Sequence, residues 1–229
     1  MNNEIFMVEH PRDTFARANT LGSVYFEIAQ SEYCEFIRIQ HIDTKKLNDE
    51  SKSKWENLAS QAAIKSVVFS AMCVEASINN YAGGQLGDKY FEQHLGSLDV
   101  VSKWVVIPRL ICGKSIDKSG PAFSALKILI SSRNSLIHNK SYEMNLSNPE
   151  SMIQKMEKRN KDFYAGFHNA LKALYLLSME MDYVIGQMHN PLRTLNNKFS
   201  PNTEIPPEAK ELFETCKNIV SKQYSKNSN

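Results

Sequence analysis

The sequence lacks the cysteine and histidine patterns of a metal-binding or disulfide-stabilised protein. Its four cysteines lie far apart and form no C-x-x-C pair, and its histidines form no H-x-x-x-H or H-E-x-x-H pair. These spacings favour neither a compact zinc site nor a disulfide framework. We therefore expect reduced, mostly buried thiols and a protein without metal or other cofactor.

Net charge and long apolar runs are also scarce. The chain carries 27 Lys and Arg against 25 Asp and Glu, a formal charge of +2, which is too small to predict nucleic-acid binding from bulk electrostatics. Any RNA contact must therefore be local. The N-terminus has no apolar signal-peptide core, and no stretch approaches the roughly 18 apolar residues of a membrane span. We expect a cytoplasmic protein with no membrane partner.

The sequence does contain the periodicity of apolar residues that is typical of α-helices. Apolar residues recur every three or four positions, prolines separate the segments, and no Asn-Gly or Asp-Gly hairpin signal occurs. Gly83-Gly84 is predicted to end the second helix, and Pro108 to break or bend the fourth. The predicted helices cover about 13–42, 54–82, 88–95, 98–110, 121–138, 149–188 and 208–224.

Several of these helices are long and are joined by short turns, so they must pack side by side to bury their apolar stripes. The sequence therefore predicts an all-α protein, an antiparallel helical bundle with additional N- and C-terminal helices. Its 229 residues, 42% of them apolar, can bury a substantial core. We expect an N-terminal helical extension (1–49), a helical bundle (50–190), and a C-terminal linker, short helix and tail (191–229).

The strongest chemical signal lies at the end of the helix predicted over 121–138. Arg133, Asn134 and His138 stand there in an otherwise apolar segment, where polar groups need a partner or a function. Asn134 and His138 are one turn apart, whereas Arg133 and His138 point about 140° apart on a regular helix. They can meet if the helix unwinds near His138, or if a second copy adds its own motif across a two-fold axis. We prefer the dimeric site.

These three side chains suit the cleavage of an RNA phosphodiester. A histidine near its ordinary pKa can take or give a proton, and a guanidinium can hold the phosphate as charge develops on it. Asn134 would orient the imidazole or contact the ribose phosphate; alternatively, it satisfies the backbone of a neighbouring helix. In the alternative interpretation, His138 is a helix C-terminal residue favoured by the macrodipole, and Arg133 belongs to an ordinary ion pair.

The pattern R-N-x-x-x-H resembles the R-x4-6-H motif of ribonucleases in the HEPN (higher eukaryotes and prokaryotes nucleotide-binding) superfamily, including the polar residue after the arginine. Residues 74–79, Lys103-Trp104 and 136–140 are similar in order and spacing to HEPN-like bacterial proteins, and the resemblance covers about 54–187. It implies a core of four or five helices that dimerises, with the two motifs facing each other across an RNA-binding cleft. Many members are toxins or phage-defence effectors, and others keep the fold without cleavage.

The leading hypothesis is therefore a HEPN-like, metal-independent endoribonuclease of a toxin-antitoxin or phage-defence system. It would use the RNA 2′-hydroxyl as the nucleophile and leave a cyclic phosphate. Its expected partners are a second copy of the chain, RNA, and a cognate antitoxin or other protein. The alternative is a non-catalytic helical module for dimerisation, nucleotide binding or protein interaction.

Glu75 and Asn79 are supporting candidates, because they form a polar stripe one turn apart in an apolar run. Arg133 is the predicted partner of Glu75. A buried bridge that fixes helix register is the favoured interpretation, over a catalytic carboxylate.

Four basic residues are further candidates for RNA contacts: Lys140, Lys155, Lys158 and Arg159. They flank the motif and precede Phe163 and Tyr164, so they could grip a backbone beside a stacked base. Acidic neighbours dilute their charge, and a solvated helix face is the alternative.

Overall fold

The computed structural model describes residues 8–9, 16–43, 47–139, 141, 143, 147–195 and 204–225. The described chain is all-α, as predicted, with one pair of two-residue antiparallel strands, β1 (Val8–Glu9) and β2 (Ala16–Arg17). A 3-10 turn covers Gln187–His189. The α-helices are α1 (Gly22–Gln40), α2 (Asp49–Leu86), α3 (Asp88–His94), α4 (Val100–Cys112), α5 (Pro121–Ile137), α6 (Pro149–Val184) and α7 (Pro207–Ser225).

Helices α1 and α2 lie side by side and run antiparallel. Ser66 Oγ donates to the carbonyl of Ala29 at 3.1 Å, whereas Gly22 lies against Ser77 so closely that a Cβ added there would be 2.8 Å from its Oγ. From the first contact to the second, the residue numbers decrease along α1 and increase along α2, so the two helices run in opposite directions. The missing side chain at Gly22 lets the two backbones approach where α1 begins.

Helices α5 and α6 form a second antiparallel pair. Asn169 Nδ2 donates to the carbonyl of Ala125 at 2.8 Å, and Arg159 Nη2 donates to Asn139 Oδ1 at 2.9 Å at the other end of the pair. Between these two points, a Cβ added at Gly166 would be 2.5 Å from Ser132 Oγ. Glycine at 166 therefore sets a close packing distance just below the end of α5.

The helices enclose one continuous apolar core. Trp104 is fully buried and donates from Nε1 to the carbonyl of Val74 at 3.2 Å, which joins α4 to α2. Phe36 of α1 and Cys216 of α7 belong to the same buried cluster as the central helices. The terminal helices thus share the core, and the proposed boundaries at 49 and 190 stay a prediction.

The beginning of α1 differs from the prediction. The helix starts at Gly22, not near Asp13, because Ala16–Arg17 pairs with Val8–Glu9 and Asn19 adopts a left-handed φ of 59°. Residues 13–15 of the predicted helix lie outside the described residues.

The end of α2 also differs, because Gly83-Gly84 does not stop the helix. It continues to Leu86 and ends before Gly87, whose φ of 88° breaks it. Gly83 instead makes room for an ion pair between Arg17 and Asp88, 2.9 Å apart, since a Cβ at Gly83 would lie 2.6 Å or less from both side chains.

Two further helix ends depart from expectation. Helix α4 continues through Pro108 to Cys112 and ends at Gly113, which has a left-handed φ of 72°. Helix α6 ends at Val184 instead of near Met188, because Gly186 has a φ of 88°.

The expectation that no segment resembles a membrane span requires correction for α2. In the described part of the chain, this helix is long and apolar enough to cross a membrane by length and composition, with a mean hydropathy of 1.3 over its best window. Of that window, 56% is buried inside the bundle. Central helices of bundles have the same property, so the composition of α2 agrees with its packing.

Candidate functional site

The candidate site lies where α5 ends. Pro121 starts the helix at a position that needs no backbone donor, and regular turns continue to Ile137. His138 is the C-cap: its φ and ψ are −100° and 30°, and its N–H donates to the carbonyl of Asn134 at 2.9 Å. The imidazole is exposed at the negative end of the helix dipole.

Asn134 and His138 share an open groove between α5 and the start of α4. We call it the His138 groove; its volume is about 670 Å³. Both side chains are exposed to solvent, so a ligand could reach them. The groove is lined by Asp99, Val101, Lys127, Ile130, Ser131, Asn134, Ser135 and His138.

Arg133 lies on the other side of α5 and does not line the His138 groove. Its Nη2 is 3.1 Å from Glu75 Oε2, and the Arg133 and Glu75 side chains are 22% and 41% exposed. The expected bridge therefore forms, but it is partly exposed instead of buried. The carboxylate of Glu75 fixes the guanidinium at the edge of the α2–α5 contact.

One chain thus brings two of the three motif residues together. Because α5 stays helical through Ile137, Arg133 faces α2 while His138 faces the groove, as the angle of about 140° requires. Unwinding near His138 does not remove this separation. Asn79, one turn beyond Glu75, has a buried Oδ1 without a hydrogen-bond partner among the described residues.

Asp99 is a residue of the groove that the sequence did not reveal. It caps α4: its Oδ1 accepts from the Ser102 N–H at 3.0 Å and its Oδ2 from the Ser102 hydroxyl at 2.5 Å. These hydrogen bonds hold the pKa of Asp99 below its ordinary value. A fixed, ionised carboxylate therefore lines the same groove as His138. An aspartate at the start of a predicted helix indicates a cap, but the closeness of Asp99 to His138 depends on how α4 packs.

A second groove runs along the neighbouring face of α5, against α6. We call it the α5–α6 groove; its volume is about 760 Å³. It shares Lys127, Ser131 and Ser135 with the His138 groove, so these three side chains of α5 form the ridge between the two grooves. The remaining lining residues are Val67, Ile128, Ser132, Leu136, Asn139, Arg159, Asp162, Phe163, Ala165 and Gly166.

Of the basic residues predicted to contact RNA, one lines this groove and two are exposed outside it. Arg159 lines the α5–α6 groove, whereas Lys155 and Lys158 are exposed on the same helix outside it. Every residue from Ile153 to Asp162 is exposed, although Arg159 contacts Asn139 just beyond the end of α5. Lys140 lies outside the described residues.

The chain matches no protein-family model, no curated protein and no solved structure. Among the described residues, no group of three or more His, Cys, Asp or Glu side chains is placed to hold a metal ion. The two grooves and the side chains between them are therefore the features that bear on function.

Proposed function

We propose that this chain is a HEPN-like, metal-independent endoribonuclease, active in the cytoplasm as a homodimer. One observation carries the proposal: His138 is exposed at the open end of α5, one turn from Asn134, while Glu75 holds the guanidinium of Arg133 on the other side of the same helix. A proton-transfer group, an amide and an oriented cation thus surround one helix end. This is the inventory needed to cleave RNA without a metal.

In the proposed reaction, the RNA 2′-oxygen attacks the adjacent phosphorus. A bond from O2′ to phosphorus forms, the bond from phosphorus to O5′ breaks, and a cyclic phosphate remains. The imidazole of His138 accepts the 2′-hydroxyl proton, and the departing O5′ takes a proton from water. Arg133 stabilises the phosphate charge through its planar fork of N–H donors.

The proposal requires two copies, because Arg133 and His138 of one chain point apart. A two-fold axis near the end of α5 would bring the Arg133 of one copy toward the His138 of the other. Glu75 would then act as a positioning residue, because its ion pair keeps the guanidinium from donating hydrogen bonds to other acceptors of the same chain. A toxin-antitoxin or phage-defence role, with a cognate protein as a further partner, is part of the same proposal.

The first test is cleavage of a mixed RNA pool by the purified protein. We expect His138→Ala and Arg133→Ala each to reduce the rate by about 10²- to 10⁴-fold, while circular dichroism and melting temperature change little. His41→Ala is the matched control, because His41 is also an exposed helix C-cap. Cleavage by His138→Ala at the parent rate would refute the role of His138.

Mixing the two inactive variants tests the shared site. If each site takes Arg133 from one copy and His138 from the other, a mixture of Arg133→Ala and His138→Ala protein should regain part of the parent activity after subunit exchange. A site built within one chain gives no recovery. The mixture therefore separates the dimeric proposal from a monomeric one.

The second candidate function is a non-catalytic helical module for dimerisation, nucleotide binding or protein interaction. The Arg133–Glu75 pair favours it, because an arginine already paired to α2 can serve to join helices. In that case Arg133→Ala should lower the melting temperature, and the parent protein should leave RNA intact.

A further inference from the structure

The α5–α6 groove combines features that recognise an unpaired nucleic-acid strand. Lys127 and Arg159 line it, and Phe163 forms part of its wall with a partly exposed ring. Cations can hold phosphates, and an aromatic ring can stack on a base whatever its identity.

Its length suits a strand better than a free nucleotide. Lys127 and Asn139 both line the groove and are twelve residues apart along and just beyond α5, which corresponds to about 18 Å. A stacked nucleotide takes about 3.4 Å along a strand. A few consecutive nucleotides would therefore fit between the two ends.

The groove is also connected to the proposed site. Lys127, Ser131 and Ser135 line both grooves, so a strand can cross α5 over two serine side chains without meeting a bulky one. Arg159 donates to Asn139, the residue that follows His138, at 2.9 Å. The far end of the groove is thus tied directly to the turn that presents His138.

The acidic residue in the groove limits how a strand can lie. Asp162 repels a phosphate, but its carboxylate can accept a hydrogen bond from the amino group of cytosine or adenine. A strand with its phosphates near Lys127 and Arg159, and a base against Phe163 and Asp162, satisfies both constraints.

We infer that the α5–α6 groove binds single-stranded RNA and leads it to the His138 groove. The inference rests on the proposed function, since it names the form of RNA that reaches that site. Lys127 and Phe163 are substrate-binding residues in this arrangement. Arg159 has two tasks: it contacts the strand, and it positions the His138 turn through Asn139.

The test measures binding of a fluorescent single-stranded RNA in the His138→Ala background, in which the RNA is expected to stay intact. Lys127→Ala with Arg159→Ala should lower the slope of log affinity against log salt by about 1.4, or about 0.7 for each lost phosphate contact. Phe163→Leu should weaken binding on the order of tenfold, because stacking is lost while apolar volume is largely kept. A duplex of the same sequence should bind more weakly than the single strand.

The matched control removes two exposed lysines from α7, Lys217→Ala with Lys222→Ala. It changes the net charge as much as the groove pair does and should leave the slope and the affinity at their starting values. Equal weakening in control and groove variants would mean that total charge, and not the groove, binds RNA. Unchanged binding in all groove variants, or equal affinity for the duplex, would also overturn the inference.

Cleavage kinetics distinguish this inference from the proposed function. In an otherwise unmodified chain, Lys127→Ala should raise KM with little effect on kcat, whereas Arg159→Ala should change both, because it also loosens the His138 turn. If Lys127→Ala and Phe163→Leu cleave RNA with an unchanged KM, the ribonuclease proposal stands and RNA binding in the α5–α6 groove is refuted. If RNA binding depends on the groove residues but the parent protein cleaves no RNA, the groove inference stands and the ribonuclease proposal is refuted.

Discussion

Arg133 is the residue that separates the two functions proposed for this chain. Its bridge to Glu75 is partly open to solvent, with side-chain exposures of 22% and 41%. A pair in such a position contributes about 1 kcal/mol or less to folding, because water screens the charges and holding both side chains costs entropy. The bridge is therefore better suited to aiming the guanidinium than to holding α5 on α2.

A double-mutant cycle measures that contribution. We expect Arg133→Ala, Glu75→Ala and the double variant to give a coupling of about 0.5 kcal/mol in urea unfolding. The Lys65–Glu32 pair between α2 and α1, with a distance of 3.1 Å and side-chain exposures of 49% and 22%, is the matched reference. A coupling of about 3 kcal/mol or more would identify the bridge as a structural element.

The residue patterns predict some features of the site and not others. The angle between Arg133 and His138 follows from helix geometry alone, and the partnership of Arg133 with Glu75 follows from a lone carboxylate in an apolar helix. The position of Asp99 beside His138 does not follow, because it depends on the packing of α4 against α5. Sequence periodicity records which face of a helix is buried, but not which neighbour covers it.

At the level of elements, helix existence was predictable and several helix ends were not. Helices α3, α5 and α7 lie within one or two residues of their predicted bounds, since prolines or glycines flank them. The end of α2 was misplaced because Gly83 resembles a stop signal. Its lack of a side chain is instead explained by Arg17 and Asp88, residues on either side of it in sequence.

Two alanine substitutions in this region should have opposite effects. Gly84 is helical, and a Cβ there would make an ordinary contact with Arg17 Cδ at 3.5 Å, so Gly84→Ala should stabilise the protein by about 0.5–1 kcal/mol. Gly87 has a φ of 88°, so Gly87→Ala should destabilise it by about 1 kcal/mol or more. Urea unfolding of both variants checks the signs; a stabilising Gly87→Ala would contradict the assigned end of α2.

For the whole molecule, the last helix closes the bundle over a buried acid. Glu180 of α6 is fully buried; its Oε1 accepts from the Asp117 N–H at 2.9 Å and from the Tyr224 hydroxyl of α7 at 3.1 Å. Its Oε2 has no hydrogen-bond partner among the described residues. Burial raises the pKa of Glu180 above its ordinary value of 4.5 and outweighs the two hydrogen bonds; the charge of Asp117 raises it further.

This carboxyl group should make stability depend on pH. Because the pKa of Glu180 is higher in the folded state than in the unfolded state, the group adds to the free energy of unfolding. This contribution is fully present below about pH 4.5 and is lost as the pH rises through the folded-state pKa. Glu180→Gln removes the titration but keeps the side-chain shape. Urea unfolding from pH 4 to pH 8 should therefore show the parent losing stability relative to the variant; parallel profiles would contradict the assignment.

Helix α6 has two halves with different structural roles. From Phe167 to Val184 nearly every turn contributes to the core, whereas from Ile153 to Asp162 every side chain is exposed. Apart from Arg159, which contacts Asn139, substitutions in the exposed half remove no side chain from the core, so the charge of this segment can change without loss of the fold. Under the proposed ribonuclease function, differences in target choice among related chains are thus expected to accumulate on this segment, while Arg133 and His138 of α5 stay fixed.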